Sequence, residues 1–124
     1  MLYALLIHEA ESIAESYEPD ELAAVTAEHG ELQKLLKAQS RFVEANQLMP
    51  SSSAVTVSVR GGKRMVTDGP YIETKELLIG LYVVDCDDLE QAIEYAARIP
   101  SARSGHIEVR PIAFFEQGDP AARG

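Results

Sequence analysis

Most of the side chains in this sequence that are spaced to do chemistry lie in or near Thr67-Asp68-Gly69-Pro70-Tyr71-Ile72-Glu73-Thr74-Lys75-Glu76. A turn carboxylate such as Asp68 can take a proton from a substrate, or it can bond its own backbone two residues on. Gly69 can adopt φ > 0, Pro70 fixes its own φ, and a residue before proline is kept out of the α region. Tyr71 offers a phenol to a substrate oxygen, while Lys75 and Arg103 offer positive charge to an anionic small molecule. Glu73, Lys75 and Arg103 can equally form a salt-bridge cluster that pins the turn, and both readings stand.

The chain has three histidines. His8 leaves the end of an apolar run, where functional groups gather beside pockets, and is the alternative to Asp68 as a catalytic group. His29 precedes Gly30, a setting that predicts contact with the carbonyl end of a helix. His106 opens an edge strand and is expected in solvent. No spacing of His, Asp or Glu matches a metal site, and no glycine-rich phosphate loop or other cofactor motif is present. Cys86 and Ser51–Ser53 have no identifiable base, so nucleophilic catalysis has no candidate.

The elements that position these groups follow from periodicity. Leu2–Ile7 and Ile79–Val84 are apolar on both faces, as central strands are. Val55, Val57 and Val59 alternate with polar residues, the pattern of a half-buried strand, and Gly61-Gly62 supplies a hairpin turn into Lys63–Thr67. Ile107 and Val109 mark a last strand, with Pro111 suggesting an edge. Glu9–Glu18 reads as a loop or ragged helix. Pro19-Asp20-Glu21 opens a helix whose apolar face runs through Leu22, Val25, Leu32, Leu35 and Leu36 to Phe42 and Val43, interrupted at Gly30, so that it is one broken helix or two. Lys34, Lys37 and Arg41 fall on its solvent side. A second helix carries Leu89, Ala92, Ile93 and Ala96 and ends near Pro100, with Asp87 and Glu90 at capping-box spacing. This order predicts an α+β fold with a ferredoxin-like split β-α-β sheet and an extra hairpin. Val55–Arg60 and His106–Arg110 would flank the two central strands. Both helices would cover one face, leaving the other partly apolar, and a homodimer would bury it.

The 124 residues form one domain, expected over 1–116 with a flexible tail at 117–124. Net charge is −9, and eight acids precede the first basic residue, Lys34. That imbalance argues against nucleic acid as partner. A single cysteine, Cys86, excludes an intramolecular disulfide, and at the end of an apolar run it reads as a buried, inert thiol. Leu2–Ile7 is too short for a signal peptide or membrane span, which leads to the expectation of a cytoplasmic protein without a membrane partner.

Val66–Glu76, Gly80-Leu81-Tyr82, Ala96–Arg103 and Ile107–Pro111 together resemble the DGPF-motif branch of the YCII-related proteins, over Met1 to about Pro111. The resemblance implies a dimeric ferredoxin-like α+β barrel that binds a small oxygenated or aromatic acid. The wider family includes a dehydrochlorinase-type lyase, and muconolactone isomerases are fold relatives, so proton transfer by Asp68 in a lyase or isomerase is one implied function. Neighbourhood to extracytoplasmic-function sigma factors implies the other, a non-catalytic ligand-sensing or partner-binding dimer. This chain departs from the pattern in three places. Tyr71 replaces the usual Phe, Leu78 and Ile79 replace a more polar pair, and no histidine stands at Pro19–Leu22, where the wider family places one.

Overall fold

The computed structural model describes residues 1–118. Six strands and three helices follow in the order β1 (Leu2–Glu9), α1 (Glu11–Glu15), α2 (Pro19–Ala38), β2 (Phe42–Gln47), β3 (Val55–Arg60), β4 (Lys63–Asp68), β5 (Leu77–Asp85), α3 (Leu89–Ala97) and β6 (His106–Pro111). Four strands make one antiparallel sheet in the order β2-β5-β1-β6, and β3 and β4 form a separate two-stranded ribbon. This is a mixed α+β architecture compatible with a ferredoxin-like fold. The doubly apolar runs occupy its two central strands, β1 and β5.

The flanking strand beside β5 differs from expectation. It is β2, not Val55–Arg60. Phe42 and Val43 match helical spacing with Leu35, Leu36 and Gln39, but the helix stops at Ala38, and Ser40 turns the chain with φ of +57°. Beyond that left-handed residue the backbone is extended, and Phe42 pairs with Val84. Arg41 therefore leaves the helix altogether, and its guanidinium pairs with Asp87 at 3.1 Å. With Asp87 so engaged, the cap of α3 falls one residue later: the Asp88 carboxylate accepts the Gln91 N–H at 2.9 Å.

Gly30 does not break α2, which runs twenty residues without interruption. A single glycine in a helix costs only about 1 kcal/mol, and packing on both sides of it outweighs that. At the helix start, the Glu21 carboxylate accepts the Glu18 N–H at 3.2 Å, and Pro19 stands where no intrahelical donor is needed. The segment before it contains the short helix α1.

One face of the sheet carries the core. Tyr3, Leu5, Ile7, Tyr82 and Val84 meet Leu32 and Leu36 of α2 and Ala92, Tyr95 and Ala96 of α3, with Ile99 and Cys86 closing the edges. Burial pushes the Cys86 thiol up, as befits an inert packing residue. Glycines let strands and loops approach closely: a Cβ on Gly105 would lie 2.2 Å from the His8 carbonyl oxygen.

The opposite face presents Leu2, Ala4 and Leu6, with Leu81 and Val83 beside them in register. Among the described residues no helix joins the core from that face.

The ribbon turns through Gly61 and Gly62 at φ of +57° and +75°, the pair of left-handed residues that a two-residue hairpin needs. Its alternation is inverted relative to expectation. Val55, Val57 and Val59 are exposed, and Thr56 and Ser58 face inward. The pattern is genuine, but β3 pairs only with β4, so the valine face finds no cover among the described residues.

Candidate functional site

Two cavities bear on a functional site, and only one of them contains expected site residues. The first, of about 740 Å³, opens where the end of β1 meets the loops before β3 and after β4. His8 and Tyr71 both line it, together with Leu48, Met49, Ile72 and Leu78. Tyr71 is 84% exposed. The His8 Nε2 lies 3.4 Å from a Glu108 carboxylate oxygen, within ion-pair distance. The two do not form a hydrogen bond, however, and this buried nitrogen has no hydrogen-bond partner among the described residues. Across the cavity, Glu11 accepts the Ser51 N–H at 2.8 Å and also the Ser51 hydroxyl, and these bonds hold its carboxyl below the usual range. Ser51 is thus a structural tie for its own loop.

The other expected residues are not gathered there. Asp68 ends β4, exposed, outside the described lining of either cavity and without a hydrogen bond to its carboxylate among the described residues. The turn is held through backbone instead: Gly69, at φ of +98°, donates its N–H to the Ala54 carbonyl at 2.7 Å, and its own carbonyl accepts the Thr56 hydroxyl at 2.8 Å. Lys75 is exposed and outside the lining. Arg103, in the segment between α3 and β6, reaches Glu28 of α2 instead, bidentate at 2.9 Å for each bond. That pair holds the Glu28 carboxyl low and the guanidinium high, and it separates Arg103 from the turn it was expected to pin.

The second cavity, about 520 Å³, lies between α2 and the helix-facing side of the sheet. Its polar centre is a pair the chain hides by distance. His29 Nδ1 stands 2.7 Å from the Tyr82 hydroxyl, with the two rings stacked at 5.9 Å and 19° apart. Gln33 donates its amide N–H to the same oxygen at 3.3 Å. Either tautomer of His29 satisfies this contact, and the one in which Nδ1–H donates to the phenolic oxygen leaves Nε2 free to accept a proton. Helical spacing makes the cluster: His29 and Gln33 are four apart on α2 and so share one face, and Tyr82 is the inward residue of central strand β5.

Desolvation governs the titration of both rings. Burial holds the His29 imidazole below its ordinary value, opposed by the nearby Glu28 and Glu9 carboxylates. Burial pushes the Tyr82 phenol up, and the Gln33 bond offsets only part of that. At neutral pH the pair is therefore an uncharged base facing an uncharged acid. Such a pair can take a proton from a carbon or oxygen acid at one end and return it at the other. The reading of His29 as a partner for a helix carbonyl end is corrected: the helix continues past it, and its ring turns to the sheet. The only cue in the sequence was the i, i+4 spacing of two polar residues on an otherwise apolar face.

Glu9 also lines this cavity, 3% exposed, and its carboxylate accepts the Ser104 hydroxyl. Among the described residues no group of three or more His, Cys, Asp or Glu side chains is placed to hold a metal ion, and no helix is long and apolar enough to cross a membrane.

Comparison with known proteins decides the family. The YCII-related domain matches residues 1–116. The chain belongs to the YCII-related family. It is also 34% identical over 127 residues to an uncharacterised protein of Rhizobium meliloti (strain 1021), an alignment covering 96% of this chain and 98% of that protein.

Proposed function

We propose that this YCII-related protein, of the DGPF-motif branch by its Asp68-Gly69-Pro70, binds a small oxygenated or aromatic molecule under α2 and shuttles a proton on it as a lyase or isomerase. The observation that carries this reading is the 2.7 Å contact between an uncharged His29 and Tyr82 inside a cavity of ligand size. It shifts the proton acceptor from Asp68 to His29, because an exposed carboxylate outside the cavity has no route to a substrate held there. The fold acts as a cytoplasmic homodimer that covers Leu2, Ala4 and Leu6 on the open sheet face.

The test is a thermal-shift and turnover screen of lactones and hydroxylated aromatics against wild type, His29→Phe and Asp68→Asn. Ligand at ~100 times its Kd stabilises by about 2.7 kcal/mol. Turnover lost in His29→Phe and kept in Asp68→Asn supports the reading; the reverse pattern refutes it.

A second reading draws on a separate observation, the exposed valines of the β3–β4 ribbon. An uncovered apolar ribbon suits a non-catalytic ligand-sensing dimer that docks a protein partner, in a setting of extracytoplasmic-function sigma factor signalling. If no compound is turned over, and Val57→Lys abolishes association with a partner or a second copy, this reading replaces the first.

A further inference from the structure

The cavity under α2 has a charge asymmetry that the proton-transfer reading does not use. Its described lining includes Glu9 but no lysine and no arginine. Arg103, outside this lining, is already held by both oxygens of Glu28. Other carboxylates in the described structure sit beside cations: Asp85 beside the N-terminal ammonium, Asp87 beside Arg41, Glu108 beside Arg110. Glu9 is far more buried than any of these, yet its only described side-chain partner is the neutral Ser104 hydroxyl. A buried carboxylate without a countercharge is costly, and a ligand that supplies one relieves the cost on binding. A ligand carboxylate, by contrast, would meet Glu9 with nothing to balance it. The net charge of −9 adds a field that draws in cations and repels anions.

We propose that the cavity selects a small molecule carrying a protonated amine, with Glu9 as its countercharge and the His29–Tyr82 pair addressing the polar atoms beside it. This rests on the cavity being the ligand site, and it replaces the expectation of an acid drawn in by Lys75 and Arg103. Wall residues Phe42, Ile79 and Val25 supply the apolar surface on which a ring or chain adjoining the amine can pack.

The experiment uses three probes of one shape and different charge: benzylamine, benzyl alcohol and benzoate. Each is titrated into the full-length protein at pH 7.5, with Kd read from chemical-shift changes of the His29 and Tyr82 ring protons. The expected order is benzylamine at least about tenfold tighter than benzyl alcohol, with benzoate weakest. Glu9→Gln should bring benzylamine and benzyl alcohol within about twofold. Because Glu9 is buried and its substitution can disturb folding, Gln33→Lys provides an independent arm: placing a cation in the cavity should raise benzoate above benzylamine. Benzoate binding wild type as tightly as benzylamine overturns the charge assignment and leaves the cavity as ligand site. Failure of all three probes to shift the His29 and Tyr82 rings overturns the assignment and the site together.

Discussion

Tyr82→Phe isolates the polar centre of the cavity with the least collateral change. Tyr82 is 2% exposed, and the substitution keeps its ring, so neither the apolar burial nor the packing on Leu5 and Val84 is lost. What disappears is one oxygen that satisfies both His29 Nδ1 at 2.7 Å and Gln33 Nε2 at 3.3 Å. Leaving a buried polar group without a partner costs about 1–3 kcal/mol. Both orphaned groups here are only half-buried and can recover some hydration, which places the expected loss at about 1–2 kcal/mol. For a domain between the small and mid-sized classes, each kcal/mol moves Tm by roughly 3–6 °C. Urea melts at pH 7.5 should show a lower midpoint at unchanged slope, since the surface exposed on unfolding is the same. The double variant with His29→Phe should show a coupling of about 0.5–1.5 kcal/mol, because removing the second partner relieves what the first left unsatisfied. Strict additivity of the two single variants, with Tyr82→Phe within about 0.3 kcal/mol of wild type, would refute the reasoning. It would mean that water meets these groups as well as they meet each other.

Three further outcomes follow from the same geometry. His29 is held below its ordinary value, so unfolding takes up a proton; its contribution is intact above the unfolded value of about 6.5 and is lost as pH falls through the depressed folded value. Urea midpoints should therefore drop on acidification in wild type above the carboxylate range, and this limb should shrink in His29→Phe; an unchanged limb sinks the idea. Gly105→Ala puts a Cβ at 2.2 Å from the His8 carbonyl and 3.1 Å from Glu9 Cα, both backbone atoms, and should cost about 1–3 kcal/mol or more in a denaturation midpoint. Asp68→Asn changes an exposed side chain without hydrogen bonds in the described structure and should stay within about 0.5 kcal/mol of wild type in the same assay, whereas a larger loss would show that the carboxylate holds its turn after all.

The apolar runs at Leu2–Ile7 and Ile79–Val84 determined by themselves which strands are central, because the strands with neighbours on both edges are the ones that carry near-continuous apolar sequence. Gly61-Gly62 likewise specified a hairpin turn, and Leu89–Ala96 an amphipathic helix, since these signals lie within a few residues of one another. Periodicity failed where two local patterns coincide. Phe42 and Val43 continue a helical stripe in spacing, but Ser40 at positive φ reverses the chain, and pairing of Phe42 with Val84 rewards the extended form. The valines of β3 were read with the right alternation and the wrong surroundings, because alternation says which face is apolar and not what covers it. The candidate site lay furthest from view. His29 and Tyr82 are 53 residues apart, and their contact exists only because α2 packs across β5 with one face of the helix turned inward. The sequence alone could nominate Asp68, a turn residue whose chemistry is local. Tertiary packing decided which polar groups are taken out of water together, and desolvation with a fixed partner is what changes a side chain's acidity.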